Sequence, residues 1–226
     1  MEQIWNDSPY RLFLFDAYGT LFRTNAENEA LNAASGGQAD AIFKLWRRKQ
    51  LEYSWCRSMM GRWVNFDEVT LDALNHALQK HKVYSEEMVD QFMTVYEAPE
   101  LFPDVMPLLD AVKEKGHRAA ILSNAPTHLL TSATERHELL GHFSDLISAD
   151  DVEMFKPSPL MYRVVTQFTK VQPEEVLFFS ANAWDIAGAS TYGFNTVWVN
   201  RQDDTPDYLG VQPLYTVNSL TDVLPS

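Results

Sequence analysis

Apolar residues along this chain follow two alternating patterns. Arg11-Leu12-Phe13-Leu14-Phe15 is a short apolar run that stops at Asp16, with Gly19 close behind, and it reads as a buried strand. Further β-type runs fall at 118–122, 176–179 and 196–199, separated by stretches of helical periodicity. That alternation predicts an α/β fold: a parallel sheet covered by helices on both faces. One helix opens at Pro103-Asp104, carries Val105, Leu108, Leu109 and Val112 on one face, and closes at Gly116. Two others follow Pro126 and Pro157-Ser158-Pro159.

Residues 24–98 break this rhythm with three or four helical patterns in succession and no convincing strand, which predicts a helical insertion after the first strand. Its longest helix spans 39–63, roughly 37 Å at 1.5 Å per residue. Ile42, Leu45, Trp46, Tyr53, Cys56, Met60 and Trp63 fall within one stripe of that helix. Arg47 and Leu51 lie at i and i+4 on another side, near Trp55, so the helix is expected to have two neighbours. One is inside the insertion; the other is the sheet domain or a second subunit. Leu71, Leu74 and Leu78 mark the next helix, and Val89, Phe92 and Tyr96 the one after, with Ser85 as its cap.

Composition narrows the function classes. With 226 residues, about 70% of the extended chain's surface can be buried, enough for a real core. Lys and Arg number 18 against 31 Asp and Glu, a net charge of −13, and the strongest basic cluster is Arg47-Arg48-Lys49. Nucleic acids and anionic membranes should therefore be repelled. Met1 to Pro9 lacks a basic start followed by an apolar run, and no stretch approaches a spanning helix, so a soluble, cytoplasmic protein is expected. The single Cys56 and scattered histidines build neither an internal disulfide nor a metal site.

In open parallel sheets, ligands bind beyond the carboxyl ends of the strands. The residues expected there are Asp16, then Ser123 and Asn124, then Ser180 with Asn182 and Asp185, while Lys156 lies in a loop between them. A lone carboxylate at a strand end is more often a helix cap. Polar groups converging from four separate places in the sequence are a stronger signal.

FLFDAYGTLF, LSNAP, KPSPLMY and FFSANAWDIAGASTYGFNTVWVNR resemble the four motifs of the haloacid dehalogenase (HAD) superfamily, and more narrowly those of the L-2-haloacid dehalogenases. LWRRKQLEYSW resembles the helix of that family's cap domain that supplies a halide-binding arginine. The resemblance covers most of the chain. It implies a Rossmann-like core over 1–23 and 98–226, with an all-helical cap subdomain over 24–97. Phosphatases of the superfamily carry a second Asp two positions after the nucleophile and hold magnesium with an acid in the last motif. Here those positions are Tyr18 and Ala181. An alkoxide leaving group needs a proton and a phosphoryl group needs a cation, whereas a halide departs as a stable anion and needs neither.

The resemblance implies displacement of halide from a short L-2-haloacid by Asp16, inversion at the α-carbon, and hydrolysis of the resulting aspartyl ester to a D-2-hydroxy acid. Asp185, helped by Asn182, would position or deprotonate the water. Lys156 would keep Asp16 charged, and Thr20, Tyr162 and Ser180 would orient these groups. Ser123, Tyr18 and Lys156 would bind the substrate carboxylate, joined by backbone amides of a helix-start arrangement after Asp16. Arg47, Asn124 and Trp184 would receive the halide, with Tyr18, Leu51, Phe66 and Trp184 as the apolar wall; Tyr162 also counts among the pocket residues. No metal ligand or organic cofactor is implied. A homodimer through the cap is. The chain departs from the family pattern at Arg48, Ala125 and Ala181, which bears on substrate scope. The competing readings are a metal-dependent phosphatase of the same fold and a catalytically silent domain that binds a small carboxylate or a protein partner.

Overall fold

The structure, a computed structural model, describes residues 2–5, 8–23 and 29–225. The expected start of the insertion at Thr24, and Asp7 of the N-terminal segment, lie outside the described residues. The chain divides into two compact units, Met1–Phe22 with Leu101–Ser226, and Arg23–Glu100.

The first unit is an α/β domain around a six-stranded sheet. Its strands are β1 (Leu12–Phe15), β2 (Arg118–Ser123), β3 (Asp145–Ser148), β4 (Val176–Ser180), β5 (Asn195–Val199) and β6 (Tyr215–Val217). All pairs are parallel, in the order β3-β2-β1-β4-β5-β6. Strand β1 is central and buried along its whole length, as a strand covered on both faces must be. Phe13 and Phe15 stack on Phe179 of β4, with ring centroids 6.0 and 4.9 Å apart. Each such side chain contributes on the order of 1.5–3 kcal/mol through burial. The order places β2 on one side of β1 and β4 on the other, so the chain changes direction across the sheet at the carboxyl end of β1, where Asp16 follows.

The four expected strands are present, and β3 and β6 add to them. Of β3, only Leu146 and Ile147 are apolar, and of the three residues of β6 only Val217 is buried. Neither is long enough to show a period. The helices of this unit are α1 (Glu2–Trp5), α6 (Val105–Glu114), α7 (Thr127–Arg136), α8 (Pro159–Thr169) and α9 (Ala183–Tyr192). Helix α6 buries Val105, Leu108, Leu109 and Val112, as its spacing predicts, and Pro159 opens α8 where its missing N–H costs nothing.

The second unit is helical: α2 (Glu29–Ala34), α3 (Ala39–Met60), α4 (Phe66–Lys80) and α5 (Glu86–Glu97). Helix α3 ends at Met60 rather than Trp63 because Gly61 turns left-handed at φ 63° and the Arg62 amide bonds back to the Arg57 carbonyl at 2.9 Å. The expected stripe on α3 is corrected. Its buried side runs through Ala39, Ile42, Phe43, Trp46, Gln50 and Ser54, while Cys56 and Met60 are exposed and Tyr53 is half-buried. On α4 the buried face is Phe66, Val69, Thr70, Ala73, Leu74, Ala77 and Leu78, and Leu71 points to solvent. Helix α5 buries Met88, Phe92 and Tyr96 at i, i+4 and i+8, and Ser85 caps it by accepting from the Met88 amide at 3.1 Å.

Candidate active site

The carboxyl ends of β1, β2 and β4 bring one polar cluster together in the α/β unit. Asp16 leaves the sheet immediately after Phe15, with its amide still bonded to the Phe179 carbonyl of β4 at 2.9 Å. It is 6% exposed. The expectation that a helix starts here is corrected. Gly19 at φ 94° turns the chain, and the amides of Thr20, Leu21 and Phe22 all donate to the Ala17 carbonyl. The turn consumes those three donors; the amides of Ala17 and Tyr18, directly after Asp16, are not among them.

The two oxygens of Asp16 have unequal surroundings. Oδ2 accepts from Thr20 Oγ1 at 2.9 Å and Asn182 Nδ2 at 2.8 Å, and the single proton of Ser180 Oγ is shared between it and Asp185 Oδ2, each 3.3 Å away. Among the described residues, Oδ1 accepts only from Lys156 Nζ, at 3.0 Å. The same ammonium donates to Oδ2 of Asp185 at 2.7 Å, and both Lys156 and Asp185 are fully buried. Burial works against the Lys156 charge, but the charges and hydrogen bonds of Asp16 and Asp185 outweigh it and hold its pKa above the ordinary lysine value.

Asp185 sits in the first turn of α9, where the helix dipole favours an anion. Burial pushes its carboxyl up to about 6, with Lys156 pulling down and the Asp16 charge adding to the rise. Its other oxygen accepts from the Tyr162 hydroxyl at 2.8 Å. Burial, followed by the Asp185 charge, pushes the Tyr162 phenol well above its ordinary value, so it stays neutral and donates. Helix α9 can lie this close only because residue 188 is glycine: a Cβ there would collide with the Tyr162 hydroxyl and with Pro157.

Loop contacts fix the remaining members. The Thr20 hydroxyl that donates to Asp16 accepts from the Ala181 amide at 2.8 Å, and Ser180 Oγ accepts from the Asn182 amide at 3.1 Å. The side-chain oxygen of Asn124 accepts from the Lys156 amide at 2.8 Å, which leaves its NH₂ facing the other way. Ser123 Oγ accepts from the Ala125 amide at 3.1 Å. Tyr18 is buried in the turn after β1, and Trp184 is half-buried beside Asp185 in α9. Asp16, Tyr18, Thr20, Ser123, Asn124, Lys156, Tyr162, Ser180, Asn182, Trp184 and Asp185 thus all belong to the α/β unit, whereas Arg47, Leu51 and Phe66 belong to the helical one.

Sequence reasoning missed a support behind Thr20. Arg201, just past β5, donates to the Thr20 carbonyl at 2.8 Å and grips Asp104 with two bonds of 2.7 and 3.1 Å. Its guanidinium also stacks on Phe102, 3.9 Å from the ring centre. Asp104 reads in sequence as a helix start, yet its carboxylate makes no cap bond. Instead it accepts from Arg201, the Ser219 hydroxyl and the Leu220 amide. Burial would raise the Asp104 pKa, but these bonds outweigh it and hold the group below the ordinary value. Asp104→Asn is therefore expected to cost about 3 kcal/mol at pH 7, measured by urea unfolding, because it leaves a largely buried guanidinium short of charge. A depressed folded-state pKa stabilises above the unfolded value of about 3.9 and loses that effect as pH falls through the folded value. The gap between wild type and variant should therefore close below about pH 4.

A family model described as "Hydrolase: haloacid dehalogenase-like hydrolase" matches residues 10–193. The (S)-2-haloacid dehalogenase 4A of Burkholderia cepacia is 37% identical over 216 residues, covering 95% of this chain and 94% of that protein. Haloacetate dehalogenase H-2 of Moraxella sp. (strain B) is 36% identical over 204 residues, covering 90% and 91%. Among solved structures, that of the L-2-haloacid dehalogenase from Xanthobacter autotrophicus with chloropropionic acid covalently bound superposes with a TM-score of 0.88 at 30% identity. It covers 95% of this chain and 96% of the other.

Proposed function

The chain belongs to the haloacid dehalogenase-like hydrolase family, and on that premise we propose that it hydrolyses short L-2-haloacids to D-2-hydroxy acids through an ester on Asp16. The observation that carries this reading is the unequal pair of oxygens on Asp16. Oδ2 accepts from Thr20 and Asn182 and shares the Ser180 hydroxyl with Asp185, while Oδ1 keeps lone-pair density beside the Lys156 ammonium. Oδ1 attacks the α-carbon from the side opposite the halogen, the carbon–halogen bond breaks with its electron pair leaving as halide, and the configuration inverts.

Water then adds to the Asp16 carbonyl carbon and gives its proton to Asp185. Charge builds on Oδ2, where Thr20, Asn182 and Ser180 already point their donors, an arrangement that stabilises a tetrahedral intermediate. Collapse breaks the bond to Oδ1, and the leaving alkoxide takes the proton from Asp185 with Lys156 alongside. Oδ1 departs in the product, the second proton of the water is released to solvent, and the carboxylate is restored with one oxygen from water. Ser123, Tyr18 and Lys156 hold the substrate carboxylate. Arg47, Asn124 and Trp184 receive the halide, and Leu51, Phe66 and Tyr162 complete the apolar wall.

Neither step demands a metal ion. The place between the two carboxylates is taken by Lys156 Nζ, and the last motif has Ala181 where phosphatases of the superfamily place an acid. We assign the protein to the cytoplasm as a homodimer formed through the helical unit, which exposes Met59, Met60 and Leu71. Among the described residues no helix is long and apolar enough to cross a membrane. L-2-Chloropropionate incubated with the protein in excess chelator is expected to release chloride stoichiometrically with D-lactate, and the D enantiomer to release none. No halide from any short haloacid, with phosphate freed from phosphomonoesters on adding magnesium, would sink the reading.

A further inference from the structure

Arg47 is held by a neutral partner. Its Nη1 donates to Oε1 of Gln50, 2.6 Å away and one turn further along α3. Gln50 is 1% exposed, and its amide nitrogen donates to Thr70 Oγ1 of α4 at 2.7 Å and to the Tyr96 hydroxyl of α5 at 3.3 Å. A guanidinium can only donate, so the Gln50 oxygen must face Arg47 and its nitrogen the two hydroxyls. The amide has one orientation, anchored in three helices at once. Three of the other four cations of α3 are matched differently: Lys44 pairs with Asp40 at 2.7 Å, Lys49 with Glu52 at 2.8 Å and Arg57 with Asp72 at 2.6 Å, while Arg48 is exposed to solvent. Arg47 makes no such ion pair among the described residues. A polar side chain interrupting the buried stripe of α3 costs stability unless its bonds are met, and here both ends are.

We propose that Gln50 is a positioning residue that fixes the Arg47 guanidinium while leaving its positive charge uncompensated, and thereby sets how well the enzyme handles poor leaving halides. The inference rests on the reading of Arg47 as a halide-binding residue. A carboxylate at this position would orient the guanidinium equally well, but it would also neutralise the charge that a departing anion meets. A neutral acceptor orients without neutralising. Chloride, the poorer leaving group, depends more on this stabilisation than bromide does.

Three variants separate the possibilities: Gln50→Glu, Gln50→Met and Arg47→Ala, each assayed on L-2-chloropropionate and L-2-bromopropionate and for inhibition by chloride. Gln50→Glu keeps the hydrogen-bond geometry, because the Thr70 and Tyr96 hydroxyls can turn to donate. Its kcat/KM is expected to fall about tenfold further on the chloro than on the bromo substrate, with the chloride inhibition constant rising by a similar factor. Gln50→Met should show the same bias at roughly threefold, since it loses orientation but not charge. Equal losses on both substrates in Arg47→Ala would remove the premise and the inference with it. A leaving-group bias in Arg47→Ala, but equal losses in the Gln50 variants, would leave the reading of Arg47 standing and overturn the role of Gln50. If Gln50→Glu fails to fold by circular dichroism, the chloro-to-bromo ratio of the similarly sized Gln50→Met decides.

Discussion

Asp16→Asn is expected to lower kcat on L-2-chloropropionate by about 10⁴-fold or more while leaving the fold intact. The amide matches the carboxylate in shape, and with its oxygen turned toward Thr20, Asn182 and Ser180 those neighbours can stay in place, while its NH₂ loses the bond from Lys156, which keeps Asp185 as partner. The amide lacks the charged oxygen that displaces halide, and the neighbouring carboxylate, Asp185, is tied to Lys156 and Tyr162. The complementary measurement uses the wild-type protein. After a single turnover in oxygen-18 water, mass spectrometry should find the label in the peptide containing Asp16 and almost none in the product. Label passing directly into the hydroxy acid would mean that water attacks the substrate itself, and Asp16 would then be a base rather than a nucleophile. Residual activity in Asp16→Asn above about 1% would carry the same message.

Lys156→Met is expected to lower kcat by about 10³-fold and stability at pH 7 by about 3 kcal/mol or more. The two effects have one cause. A single buried ammonium serves both Asp16 and Asp185, and its removal leaves two carboxylates facing each other without a cation. Lys156 is also what pulls the Asp185 pKa down, so without it the acid limb of the pH–rate profile, expected near pH 6 in the wild type, should move upward. The stability change has a defined sign. A carboxyl whose folded-state pKa lies above its unfolded value of about 3.9 favours the fold below that value and loses the benefit as pH rises through the folded pKa. The deficit of Lys156→Met should therefore be largest at neutral pH and shrink on acidification toward about pH 4, as urea unfolding at several pH values would show. A deficit independent of pH would point to lost packing by the lysine stem instead.

Most residues of the polar cluster around Asp16 were legible in the sequence because they stand at the end of a strand that is itself easy to read. Asp16 ends an apolar run of four, Ser123 and Asn124 end β2, and Ser180 ends β4. What escaped acts at one remove. Gln50 interrupts an apolar stripe, and a polar residue there is invisible to periodicity, which is also why Tyr53, Cys56 and Met60 were drawn into the wrong face of α3. Arg201 and Asp104 are 97 residues apart, and only the folded chain brings them together behind Thr20. The short strands β3 and β6 escaped for the opposite reason: their pairing comes from neighbours in the sheet rather than from any pattern of their own.

The ammonium shared by Asp16 and Asp185 gives the proposed cycle an internal clock. Before substrate reacts, the Asp16 charge adds to the rise in the Asp185 pKa. Ester formation abolishes that charge while the Lys156 charge stays, so Asp185 becomes more fully ionised just as a water molecule needs an acceptor for its proton. When the ester breaks, the charge returns, the trio regains its net −1, and the site repels the anionic product it has just made. The first proposed half-reaction thus leaves Asp185 in the charge state that the second one uses.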